Sequence, residues 1–145
     1  MQTEMEFHDS TVIAISRDGS TLCIHFDAYV HRWEIIEGEW KGSGWAQPVK
    51  IAMLDAICTH TPRLPADLDG GKLETAGATH SDMVPLPFSS SESTTLTLFL
   101  ATATPVQFKA KDILIQAEGP GRQIDKLPKD FKPKNLGQQS VGGDA

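Results

Sequence analysis

The stretch from Thr11 to Asp27 limits what this chain can fold into more than any other. Thr11 to Ser16 reads Thr-Val-Ile-Ala-Ile-Ser, and such β-branched residues suit a pleated surface better than a helix. Arg17-Asp18-Gly19-Ser20 follows, and its Asp-Gly pair supplies the positive φ angles of a tight turn. Leu22, Ile24 and Phe26 then alternate with Cys23, His25 and Asp27. A period of two puts the first set on one face of a strand and the second on the other. The expectation is a β-hairpin with one buried face.

The remaining patterns extend that reading. Glu34 to Trp45 shows no period, and Gly38, Gly42, Ser43 and Gly44 mark it as a turn-rich loop. Gln47 to Thr59 fits two templates. Val49, Ile51 and Met53 alternate as a strand, whereas Val49, Ala52, Met53, Ala56 and Ile57 have helical spacing with Pro48 at a permissible first position; neighbouring strands favour the strand. His60 to Pro65 breaks any regular element, Asp69-Gly70-Gly71 signals a turn before a weak strand at Lys72 to Ala76, and Ser81 to Ser93 reads as a long surface loop. Alternation resumes at Leu96, Leu98 and Leu100, at Val106, Phe108 and Ala110, and at Ile113 and Ile115, with a corner at Thr104-Pro105. Gly119-Pro120-Gly121 is expected to end the sheet. The pattern predicts a mostly β fold, an antiparallel β-sandwich or irregular barrel of six to seven strands, in one domain over residues 1–127. Residues 128–145, rich in lysine, proline, glycine and glutamine, are expected to form a flexible tail.

A chain of 145 residues can bury a core without staples. Cys23 and Cys58 are its only cysteines and form no CxxC, so two reduced, half-buried thiols are expected, with no metal and no cofactor. The polar, acidic opening Met1 to Glu6 lacks the features of a secretory signal, and no apolar run is long enough to span a bilayer; a cytoplasmic protein is expected. Net charge is −6, with four lysines and two aspartates from Lys126 onward making that stretch +2 and the remainder −8. An acidic body disfavours nucleic acid and favours encounter with a basic partner.

Phe7-His8-Asp9-Ser10 leads into Val12-Ile13-Ala14-Ile15, then come Asp18-Gly19, Tyr29-Val30-His31-Arg32, Gly44-Trp45 and the hairpin from Val106 to Glu118. Together these resemble a group of small bacterial proteins that open with a His-Asp-Ser strand. Related sequences include some immunity proteins of polymorphic-toxin systems. The resemblance implies a β-rich fold and a role in binding a protein, with no catalytic residues attached.

His8-Asp9-Ser10 has the residue types of a catalytic triad, but adjacent residues on an extended chain point to opposite faces. A local role is expected instead, with Asp9 or Ser10 bonded to nearby backbone and His8 at the edge. The five histidines, at positions 8, 25, 31, 60 and 80, show neither i, i+4 nor i, i+2 spacing for a metal. His25 is expected to face solvent and His31 to be held by Tyr29, Arg32 or a carbonyl. A metal-dependent or acid-base enzyme centred on His8, Asp9 and His31 is one alternative, and a structural, oligomer-forming subunit is another. Ser89 to Ser93 lacks the glycines and lysine of a phosphate cradle and reads as a linker.

The most unusual composition lies between Trp33 and Trp45, where all three tryptophans and three glutamates fall within thirteen residues. Large aromatics beside charges are what interface hot spots are made of. Trp33 and Trp45, next to strands, are expected to cover an open end of the fold, leaving Trp40 exposed. The leading expectation is a non-enzymatic binding module that engages a basic protein partner through Glu34, Glu37, Glu39, Trp40 and Trp45, as an immunity protein blocks a toxin.

Overall fold

The computed structural model describes residues 1–134 and Leu136. Twelve strands run in chain order: β1 (Gln2–Asp18), β2 (Thr21–Ile36), β3 (Glu39–Leu54), β4 (Ile57–Cys58), β5 (Ala66–Glu74), β6 (Thr79–Ser81), β7 (Met83–Pro85), β8 (Phe88–Ser90), β9 (Thr94–Leu100), β10 (Val106–Ala110), β11 (Asp112–Ala117) and β12 (Arg122–Leu127). All pairings are antiparallel, in the order β4-β10-β9-β5-β1-β2-β3-β11-β8, with β12 beside β3, β6 beside β5 and β7 beside β1. The mostly β, antiparallel architecture is thus as the alternation implies. Among the described residues there are not six or seven strands but twelve.

The first hairpin follows its pattern closely. Leu22, Ile24 and Phe26 are buried, while Cys23 and His25 are half-buried and Asp27 is exposed. The turn itself sits one residue later than the Asp-Gly signal suggests. Asp18 pairs with Thr21, so Gly19 and Ser20 form the loop, and only Gly19 has positive φ, the pattern of a type II′ turn. Met5, Phe7, Val12, Phe26, Val30 and Ile51 from the long strands join Leu73, Leu96, Leu98, Val106 and Phe108 from the β5-β9-β10 arm in one apolar cluster. Both arms of the sheet therefore face a common core.

Three expected loops are strands. Glu34 to Trp45 forms the arms of the β2–β3 hairpin, closed by the two-residue turn Glu37-Gly38 with φ of +53° and +79°, a type I′ geometry. Gly42 and Gly44 are strand residues rather than turn residues. A Cβ on Gly42 would stand 2.6 Å from the Trp33 ring, and one on Gly44 would collide with the Tyr29 hydroxyl. Asp69-Gly70-Gly71 likewise lies inside β5, because a Cβ on Gly71 would come within 2.6 Å of the Phe7 ring. Each glycine marks an aromatic ring laid across a neighbouring strand. Ser81 to Ser93 contributes most of three strands of three residues each, too short for a period to show. Nor does Gly119-Pro120-Gly121 end the sheet, since β12 follows and pairs with Gly42 to Ala46 of β3. From 47 to 58 the chain is β3 and β4 with no helix.

Cys23 and Cys58 are free and half-buried. No helix of the described residues is long and apolar enough to cross a membrane. Of the expected tail, Lys129–Phe131 forms a 3₁₀ turn that touches β3, and Leu136 is fully buried; residue 135 and residues 137–145 lie outside the described residues.

Replacing Gly71 by alanine forces Phe7 to move and is expected to cost about 1–3 kcal/mol. Gly77, whose added Cβ would meet nothing within 4 Å, is the control. Urea denaturation should show a lowered midpoint for Gly71→Ala and little change for Gly77→Ala.

Candidate functional site

Two polar regions flank β1 and β2, and the tryptophans form a third feature at the hairpin end. The first region is a bulge. Glu6 pairs with Tyr29 and Thr11 with Asp27, so Phe7-His8-Asp9-Ser10 is four residues set against Ala28 alone. Ser10, almost fully buried, ties the bulge down: its hydroxyl donates to the Glu6 carbonyl (2.6 Å) and accepts from the Tyr29 N–H (2.9 Å). Asp9 takes up the excess chain with φ of +69°. Asp82 then joins the bulge to β5. Its carbonyl accepts from Phe7 N–H (2.7 Å), its carboxylate from His8 N–H (2.8 Å), and its own N–H donates to Gly71 (2.8 Å). Burial first, then the negative charges of Glu6 and Asp9, push the Asp82 carboxyl above its ordinary value against the pull of His8.

His8 is exposed and its Nδ1 lies 2.7 Å from the Asp69 carbonyl, so Nδ1 carries the proton and donates. That bond, followed by the Asp9 charge, raises its pKa; Nε2 stands 3.4 Å from the Asp9 carboxylate.

The second region is packed. His31 is buried with its Nε2 2.7 Å from Glu6 Oε1, and the Tyr29 ring meets it edge-on at 5.2 Å. Tyr29 donates its hydroxyl to Asp125 at 2.8 Å. Burial, then this bond and the carboxylate charge, drive the Tyr29 phenol far above its ordinary value. His31 is therefore held by Glu6 with Tyr29 against it, not by Arg32 or a carbonyl. His8, Asp9 and His31, the residues of the enzyme reading, have separate partners: His8 bonds Asp69 and sits beside Asp9, whereas His31 bonds Glu6. Among the described residues no three His, Cys, Asp or Glu side chains are grouped to hold a metal. His25 does not face solvent freely; it contacts Glu118 (2.7 Å) and Ser16 (3.2 Å).

The third feature is built by strand lengths. β1 stops pairing at Gln2 opposite Trp33, and β12 stops at Leu127 opposite Gly42. Beyond those points Glu34–Lys41, Ile35–Trp40 and Ile36–Glu39 continue as a two-stranded arm paired only within itself. Strand periodicity and register put Trp33, Ile35 and Trp40 on one face. Trp33 is 1% exposed although it lies outside the main core. Trp45 packs on that core, donates its indole N–H to Ser43 Oγ (2.8 Å) and carries the Arg32 guanidinium 3.9 Å above its ring, a cation–π contact.

Trp40 is half-buried, with its indole nitrogen out of contact with solvent, so the tryptophan expected to be most exposed is partly covered. The apolar exposure falls on Ile35 (49%) and Ile36 (48%) instead. Glu37 and Glu39 are exposed and Glu34 is half-buried. Glu39 lies 3.1 Å from Lys41 and 3.9 Å from Lys129, and these lysines hold its carboxyl below the ordinary range. A cavity of about 660 Å³ opens between the arm, β12 and the 3₁₀ turn, bordered by all three tryptophans and by Lys41, Lys126 and Lys129. The sequence placed the tryptophans and glutamates together. Lys126 and Lys129, which with Lys41 balance the glutamates, were hidden because only the fold brings them there.

Against models of known protein families, curated proteins and solved structures, the chain finds no match.

Tyr29 is the only tyrosine, so phenolate absorbance reports on it alone. Titration of the folded protein should show no ionisation near the ordinary pKa of about 10, and Asp125→Asn should bring ionisation to lower pH. For His8, a raised folded pKa means a stabilisation fully present below about 6.5 and lost as pH rises through the folded value. The thermal midpoint should fall over that range by less in His8→Gln than in the wild type.

Proposed function

We propose that this protein is a non-catalytic protein-binding module that meets its partner with the projecting end of the β2–β3 hairpin. The observation that carries this reading is the pair Ile35 and Ile36. They are half exposed on an arm that extends past its neighbouring strands, and neither contributes to the apolar core. Beside them Trp40 offers a large, partly covered aromatic surface. Ile35 with Trp40 on one face of the arm and Ile36 on the other, with glutamates and lysines around them, give a partner that wraps the arm an apolar centre and a polar rim.

Charge plays two separate parts. Glu34, Glu37 and Glu39 are matched around the arm by Lys41, Lys126 and Lys129, so the contact itself is near neutral. The acidic body as a whole supplies the long-range field that steers a basic partner. A protein is proposed as that partner because the body resembles small bacterial proteins whose related sequences include some immunity proteins.

Immobilised protein should retain its partner from a lysate of the source cell, identified by mass spectrometry. Two variants, Ile35→Asp with Ile36→Asp and Trp40→Ala with Glu37→Lys, should each weaken capture by about tenfold or more with nearly unchanged thermal midpoints. Equal capture by both would overturn the proposal. Added salt should slow association more than it speeds dissociation.

A further inference from the structure

We propose that Ser16 is an acyl-acceptor site, a serine activated by His25 and Glu118 that takes a small acyl group from a thioester. The site lies on the open face of the sheet and is independent of the partner surface proposed for the arm.

Three strands bring the groups together. Ser16 on β1 pairs with Cys23 on β2, and Ala14 pairs with His25. Strand alternation puts these four on the face opposite Ile15 and Ile24, which pack into the core. Glu118 follows directly after β11, its N–H bonded to the Pro48 carbonyl of β3, and its side chain reaches across to β2. Glu118 Oε1 lies 2.7 Å from His25 Nδ1, and Ser16 Oγ lies 3.2 Å from His25 Nε2. A carboxylate only accepts, so in the neutral ring Nδ1 carries the proton and Nε2 accepts from the Ser16 hydroxyl. Nucleophile, base and orienting carboxylate thus stand in the order of contacts that activates a serine. Ser16 is exposed, and its neighbours on this face, Ala14, Cys23 and Ala52, are short, which leaves room for a small acyl group above its hydroxyl.

In the transfer, Ser16 Oγ attacks the thioester carbonyl carbon while its proton passes to His25 Nε2. The C–S bond then breaks and the departing thiolate takes that proton, leaving an oxygen ester on Ser16, a free thiol and a neutral His25. Lys50, opposite His25 in the ladder and in no ion pair among the described residues, brings positive charge to this face for the transient oxyanion. Main-chain N–H groups of a sheet point along its plane toward neighbouring strands, so no pair of them faces an oxygen above Ser16 as in a hydrolase. That restricts the donor to an acyl group on a good leaving group, which a thioester has and an alkyl ester lacks. The product is itself an alkyl ester, so the same restriction keeps it from being hydrolysed. Ser16 is therefore modified once and does not turn over.

The full chain should be incubated with S-phenyl thioacetate and the acetyl group located and timed by peptide mass spectrometry. Ser16 should be acetylated about a hundredfold faster than Ser20, which is exposed in the first turn. Ethyl acetate should leave Ser16 unmodified. Replacing both free thiols, Cys23→Ala with Cys58→Ala, should leave the Ser16 rate unchanged. His25→Gln should slow it about a hundredfold and Glu118→Gln at least about tenfold, with nearly unchanged thermal midpoints. For Glu118 a second readout separates positioning from packing: nitrogen-15 spectra of the neutral His25 ring should show the proton on Nδ1 in the wild type and lose that preference in Glu118→Gln. After the donor is removed, acetyl-Ser16 should persist. The inference is overturned if the acetyl group settles on Cys23 with Ser16 untouched, if Ser16 reacts no faster than Ser20, or if His25→Gln leaves the rate as it was. Rapid loss of the acetyl group that requires His25 would overturn it in favour of a hydrolase. Ser16→Ala removes the acceptor and should leave partner capture by the arm unchanged, so failure of one proposal is distinguishable from failure of the other.

Discussion

An aromatic ring resting on a glycine of the next strand is the contact on which this structure turns. Phe7 lies across Gly71, Trp33 across Gly42 and Tyr29 against Gly44. The first is the most consequential, because β1 and β5 pair through only Thr11–Asp67 and Val12–Ala66, and this short ladder joins the two arms of the sheet. Phe7 packs over that junction while Asp82 bonds Phe7 and His8 on one side and Gly71 on the other. A β-carbon at position 71 would force these groups apart. The other two rings do the same for the long hairpin, letting Tyr29 and Trp33 lie flat where ordinary side chains would hold them off.

These contacts also explain what the sequence made legible and what it hid. Alternation is visible wherever one face of a strand is buried, so β2, β9, β10 and β11 could be read from Leu22, Leu96, Val106 and Ile113 onward. Glycine carries a double meaning. At Gly19 and Gly38 it supplies positive φ in a turn, whereas at Gly42, Gly44 and Gly71 it makes room for a ring whose owner lies far away or across a hairpin. Local composition cannot separate these uses, and so two strands looked like loops. The short strands β6, β7 and β8 were invisible for a simpler reason: they are held by main-chain pairing to β5, β1 and β11, and main-chain bonding leaves little trace in side-chain identity.

The polar sites divide along the same line. That Ser10 would serve the backbone was legible from its neighbours, because such side-chain bonds are local. The partner of His31 was not, since Glu6 is twenty-five positions away. The three tryptophans announced themselves by density, but the lysines that change the electrical character of their surroundings come from β3, β12 and the segment after it. An acidic reading of the hairpin end was correct for the segment and incomplete for the site.

The arm that carries Ile35, Ile36 and Trp40 stands beyond the last rungs of β1 and β12, and none of these three side chains belongs to the main core. Selection on what the arm touches can therefore proceed apart from selection on folding. Descendants of this chain could exchange these residues freely, while Phe7, Gly71 and the leucines of β9 stay under a separate constraint. The end of the long hairpin and the core built by β1, β5 and β9 are separate parts of the molecule, which frees the first to vary without endangering the second.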